Sequence, residues 1–221
     1  MRKEISVGNS TLLLEQGEFA DDIAVLFLPG ISGGALSDRF APLAQMVTGL
    51  GHTSVRMHAW EGDVQTKTLK QLYSEMEASV EYLLHNGFEE IVLIGKSFGG
   101  GLVLAYEHPR ITGKIMWAPA IGVSEKENIS SLLTTQLKEI KNLLDIQMSF
   151  EDIQTDDALI AIIHGTTDSV IPLANSEKII ASATGGVLRV IEGADHSFKL
   201  PMYEEELLRT TKELLEGLEK H

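Results

Sequence analysis

The sequence contains no cysteine, which excludes disulfides, thiolate metal sites and a cysteine nucleophile while leaving the redox compartment open. It has no apolar run near the ~20 residues that a membrane-spanning helix needs. The first residues, MRKEISVGNSTLLLEQ, lack the apolar stretch of a secretory leader, so a cytoplasmic location is expected. Basic residues are scarce, 18 against 32 acidic ones, for a formal net charge of -14. Such a field repels phosphate backbones and anionic membrane surfaces, and nucleic acid is not an expected partner. No H-E-x-x-H or other metal-ligand spacing occurs, so neither a metal nor a cofactor is expected. Internal repeats, low-complexity tracts and interdomain linkers are absent as well.

What remains is the composition of an ordinary globular protein, with 43% hydrophobic and 23% charged residues in 221, enough chain for one domain over residues 1–221 with an ample core. A hairpin is predicted from Ile5–Val7 and Thr11–Glu15 through Gly8-Asn9, leading into the apolar run Ile23–Gly30. Helical spacing covers Ser37–Leu50 and Thr68–His85, with a short strand at Thr53–Met57 between them. Further buried strands are predicted at Gly113–Ala120, Ala158–Gly165 and Gly186–Gly193, and a closing helix at Glu204–Lys220. Apolar strands alternating with helices predict an α/β fold, a mostly parallel sheet covered on both faces.

Within this pattern the segment Ile91–Gly101, IVLIGKSFGGG, contains the letters of two incompatible devices. A phosphate-binding P-loop, G-x-x-x-x-G-K-[ST], requires glycine five positions before Gly95, where Glu90 stands, and its loop residues would be the strand Ile91-Val92-Leu93-Ile94. That reading fails on pattern and on mechanism. The alternative, G-x-S-x-G, needs a buried strand, a nucleophile at a sharp turn flanked by residues with almost no side chain, and then a helix, all of which the pattern supplies around Ser97.

A serine hydroxyl at neutral pH needs a base, and the base needs a third group to orient it. HGTTDSVIP places Asp168 in the loop after one predicted strand, and EGADHSF places His196 in the loop after the next. Both loops leave the carboxyl ends of strands, the edge where ligands bind in open α/β sheets. Asp195 is a poor substitute, being the sequence neighbour of His196, and Asp156 and Asp157 precede their strand. Of the other histidines, His52 and His58 bracket a strand, His85 and His108 lie near helix ends, His164 ends a strand, and His221 is terminal. Lys96 raises a Ser-Lys dyad, but an adjacent side chain should diverge from Ser97, and it is read as structural or ion-paired.

With its elbow at Ser97 and the order Ser97, Asp168, His196, the chain resembles the α/β-hydrolases, from the strand before Gly30 to the final helix. The resemblance implies a Ser-His-Asp triad and an oxyanion hole made by the backbone N–H of Phe98 and by one from the loop after an early strand. Here that loop is Pro29-Gly30-Ile31-Ser32-Gly33-Gly34, with proline where the family usually has histidine, and Ile31 N–H is the implied donor. The implied reaction is hydrolysis of an ester through an acyl-enzyme. Thioester hydrolysis, peptide cleavage, acyl transfer and a non-catalytic binding protein of the same fold are the alternatives. The insertion at residues 121–157, with Leu133, Leu137, Ile140 and Leu144 at helical spacing, is either a helix on the sheet or a small cap. Its shortness favours small or medium esters as the small-molecule substrate.

Overall fold

The computed structural model describes residues 1–31, 34–58, 67–121 and 158–218. The possible cap, with Leu133, Leu137, Ile140 and Leu144, lies outside them, as do Asp156, Asp157, Ser32, Gly33 and His221.

Among the described residues eight strands form one sheet: β1 (Arg2–Val7), β2 (Ser10–Glu15), β3 (Ile23–Leu28), β4 (Thr53–His58), β5 (Glu90–Lys96), β6 (Ile111–Trp117), β7 (Leu159–Gly165) and β8 (Val187–Ile191). Their spatial order is β1-β2-β4-β3-β5-β6-β7-β8. The predicted hairpin is present, with Val7 opposite Ser10, and β2 also runs antiparallel to β4. All other pairings are parallel. Among the described residues five helices accompany the sheet: α1 (Ala41–Gly49), α2 (Leu69–His85), α3 (Phe98–Leu104), α4 (Leu173–Ser182) and α5 (Pro201–Leu218).

The strand sequences follow from their surroundings. In β3 alternate residues face opposite sides of the sheet. Leu26 and Leu28 join a core containing Leu72, Met76, Val80 and Leu83 of α2 and Ile179 of α4. Val25 and Phe27 join a second core with Val47 of α1 and Leu207, Leu214 and Leu215 of α5. Both faces are covered, so the strand reads as an unbroken apolar run. Strand β8 departs from that expectation. Among the described residues it pairs with β7 alone, at the end of the sheet, and Arg189 and Val190 are exposed.

Two helix starts also have local causes. Thr68 caps α2 with a reciprocal box, its Oγ1 accepting from Gln71 N–H at 3.3 Å while Gln71 Oε1 accepts from Thr68 N–H at 2.7 Å. The helical spacing predicted from Ser37 resolves into a 3-10 turn, Asp38–Phe40, followed by α1 with Pro42 in its first turn.

The sheet order places the functional edge. From β3 the chain moves outward through α1 to β4, then returns through α2 to β5 on the other side of β3. The loops leaving β3 and β5 therefore part in opposite directions and open a crevice at the carboxyl end of the sheet.

Candidate active site

Ser97 sits in that crevice, between the end of β5 and the start of α3. Its φ and ψ are 51° and −114°, a conformation that is costly for a residue with a Cβ. Three backbone hydrogen bonds hold it there: Ser97 N–H to the Trp117 carbonyl at 2.8 Å, and Ala120 and Gly101 N–H to the Ser97 carbonyl at 2.9 and 3.0 Å. The glycines of the motif are steric requirements. A Cβ at Gly95 would lie 2.5 Å from the Gly99 carbonyl oxygen, and one at Gly99 would lie 2.4 Å from that of Pro29.

His196 follows β8 in a tight turn. Its Nε2 is 2.9 Å from Ser97 Oγ and its Nδ1 is 2.7 Å from Asp168 Oδ2. A carboxylate only accepts, so Nδ1 carries the proton and Nε2 is left to receive the one on Ser97. The structure thus brings the three sequence-predicted residues into one hydrogen-bonded line. Asp195 is occupied elsewhere, its Oδ1 accepting from Ser197 N–H at 3.0 Å.

Asp168 is buried, and burial pushes its carboxyl pKa up. Hydrogen bonds from His164 and His196, and the backbone N–H of Ile171, more than offset this and hold it well below the usual carboxylate range. It is therefore ionised at neutral pH. Its loop is laced to that of His196: Thr167 N–H and Oγ1 both donate to the Ala194 carbonyl at 3.0 Å, and Gly193 N–H donates to Thr166 Oγ1 at 2.8 Å. Gly165 permits the approach, since a Cβ there would stand 2.2 Å from the Ala194 oxygen.

Lys96 diverges from Ser97, as expected for adjacent side chains, and its ammonium donates to the Ser197 carbonyl at 3.2 Å. Burial, reinforced by the Arg39 guanidinium, lowers it to about 8. Arg39 donates to the same carbonyl at 2.7 Å. Sequence reasoning missed Arg39, whose partner lies 158 positions away with no local signature.

Of the residues implied as oxyanion donors, one adjoins Ser97 in sequence and the other follows a glycine packed near it. Phe98 is the first residue of α3. Gly30, one position before Ile31, is close enough that a Cβ there would sit 3.6 Å from that of Ser97. The one metal-compatible cluster among the described residues, Glu77, Glu81 and His108, is formed by two residues of α2 and one that follows α3. His108 Nδ1 accepts from Arg110 N–H at 3.2 Å, which leaves its Nε2 protonated toward Glu81 rather than open to a metal. No helix among the described residues is long and apolar enough to cross a membrane.

A parallel sheet in this order, antiparallel at β2 and carrying a serine elbow after β5, is the α/β-hydrolase fold, and this chain has it. No protein-family profile and no curated protein matches the sequence. Solved structures do match. The esterase Est1E from Butyrivibrio proteoclasticus, with ferulic acid bound, superposes with a TM-score of 0.79 at 17% identity, covering 99% of this chain and 100% of its own. A thermophilic esterase from Thermogutta terrifontis with propionate bound gives 0.74 at 18%, covering 99% and 94%. The mouse alpha/beta hydrolase domain-containing protein 10 gives 0.73 at 16%, covering 99% of both chains. At so low an identity the likeness is one of fold.

Proposed function

We propose that this protein is a serine hydrolase of small or medium carboxylic esters, built as a single domain over residues 1–221, with Ser97 as nucleophile, His196 as base and Asp168 as its orienting acid. The observation that carries the reading is the continuous hydrogen-bonded line from Ser97 Oγ through His196 to Asp168 Oδ2, built on a strained elbow. The structural likeness to proteins named as esterases supports the class of bond cleaved. The short insertion at residues 121–157 supports a substrate of modest size.

In this reaction Ser97 Oγ bonds to the ester carbonyl carbon as its proton passes to His196 Nε2, and the carbonyl electrons move onto oxygen. Phe98 N–H and Ile31 N–H would receive that oxyanion; losing one such donor typically costs about 3 to 4 kcal/mol of transition-state stabilisation. Collapse expels the alkoxide, which takes the proton from Nε2 and leaves an acyl-serine. Water then repeats the sequence and releases the acid, returning the proton to Ser97.

Intact-mass measurement after treatment with a fluorophosphonate tests the machinery. One adduct on the native chain and none on Ser97→Ala or His196→Ala is the expected result, while an unlabelled, folded native chain overturns the proposal. A panel of p-nitrophenyl esters of increasing acyl length, with a thioester and a peptide for comparison, then tests the substrate class. Turnover confined to the thioester or the peptide would overturn the assignment to esters.

A further inference from the structure

A second histidine stands on the same carboxylate oxygen that orients His196. His164, at the end of β7, is fully buried. Its Nε2 lies 3.2 Å from Asp168 Oδ2 and 3.0 Å from the Ile171 carbonyl oxygen. Both of those atoms only accept, so Nε2 carries a proton directed at them. Its Nδ1 is 2.7 Å from the hydroxyl of buried Ser176 on α4, which donates to it in the neutral ring. The other oxygen of Asp168, Oδ1, accepts from Val170 and Ile171 N–H, each at 2.8 Å. Among the described residues, two backbone N–H groups thus serve Oδ1 and two imidazoles converge on Oδ2, with the His164 N–H shared between it and the Ile171 carbonyl.

We propose that His164 is a positioning residue for catalysis: its Nε2–H draws on the charge of Asp168 Oδ2 and so limits how strongly Asp168 holds a proton on His196. This rests on reading Asp168 and His196 as acid and base. A carboxylate relieved of one donor binds its remaining partner more tightly, so without His164 the imidazolium of His196 would be held longer and the base would be free only at higher pH. Among the described residues, the ionisable groups acting on Asp168 are His164 at the end of β7, His196 after β8 and, through space, Lys96 at the end of β5. Helix α4 presents the hydroxyl of Ser176 to His164. A core histidine that merely filled space would affect folding without moving the pH at which the base becomes free.

The test follows hydrolysis of p-nitrophenyl acetate from about pH 5 to about pH 8, the range in which a histidine base titrates. His164→Phe is expected to lower kcat roughly tenfold, as befits loss of a hydrogen bond to a charged group, with KM unchanged and the acid limb of kcat/KM moved to higher pH. His164→Gln, whose amide N–H can reach Asp168, is expected to return the limb toward its native position. If His164→Phe does not fold, Ser176→Ala serves with the ring in place. Removing the donor to Nδ1 weakens Nε2–H, and a smaller movement in the same direction is expected. Limbs that stay put in the folded variants, while Asp168→Asn is inactive, overturn this proposal alone. If Asp168→Asn turns over normally, the acid–base reading fails and this proposal with it.

Discussion

Lys96, the residue before Ser97, donates its ammonium to the carbonyl of Ser197, the residue after His196, at 3.2 Å. The loops that carry Ser97 and His196 are therefore joined through their neighbours, and Arg39 makes a second bond to the same oxygen.

That shared acceptor predicts non-additivity. Lys96→Met and Arg39→Met should each reduce kcat a few-fold, since one donor still holds the Ser197 carbonyl. The double variant should lose more than the product of the two, as residues in one network do. A double-mutant cycle on kcat checks it, and simple additivity would show that the carbonyl does not couple them.

Lys96 also gives a signed pH effect on stability. Burial lowers its folded pKa from 10.5 to about 8, so between these values the unfolded chain holds a proton that the folded one has released. Stability must then rise with pH across that window, and the contribution is least favourable below about pH 8. Thermal midpoints at about pH 7 and about pH 10 should show the native protein gaining on Lys96→Met, which lacks the group. An unchanged difference would contradict the burial of the ammonium.

Asp168 gives a slope of the same sign in a lower pH range. Its carboxyl is held below the ordinary value of 3.8, so its contribution to stability is present at neutral pH and is lost as pH falls through the depressed folded pKa. Asp168→Asn should cost about 10⁴ in kcat at neutral pH, because His196 loses its tautomer. Its stability deficit should narrow in acid below about pH 4, and chemical denaturation at neutral and acid pH measures this.

The strained elbow separates activity from stability. Ser97→Gly should abolish turnover yet raise stability by about 1 kcal/mol, because glycine occupies this backbone conformation without penalty. Ser97→Ala should be equally inactive with no such gain. Differential scanning calorimetry of the two variants distinguishes relief of strain from loss of the hydroxyl.

Gly165→Ala should do the reverse, placing a methyl against the Ala194 oxygen and forcing the His196 loop outward. Both the thermal midpoint and kcat should fall. Retained activity would mean that this loop moves freely.

Much of this was readable from residue order. The elbow announces itself because a strand, three small residues and a helix must meet there, and Asp168 and His196 follow strands whose apolar runs are plain. The exposure of β8 was not readable, because four of the five residues of VLRVI are apolar and its place at the end of the sheet is a property of the sheet order. Nor could Arg39 or the role of His164 be read. The first depends on a contact across 158 residues, and HGTTD shows a histidine four places before an aspartate without showing that both imidazoles converge on one oxygen.

The order of the sheet has a consequence in time as well as in space. The bonds that hold the turn at Ser97 come from residues no later than Ala120, whereas His196 arrives only after β8. A chain emerging from the ribosome therefore carries Ser97 long before it carries His196. On the mechanism proposed above, hydrolytic activity would report that the far edge of the sheet has been laid down, and a nascent or truncated chain would hold a nucleophile that cannot attack.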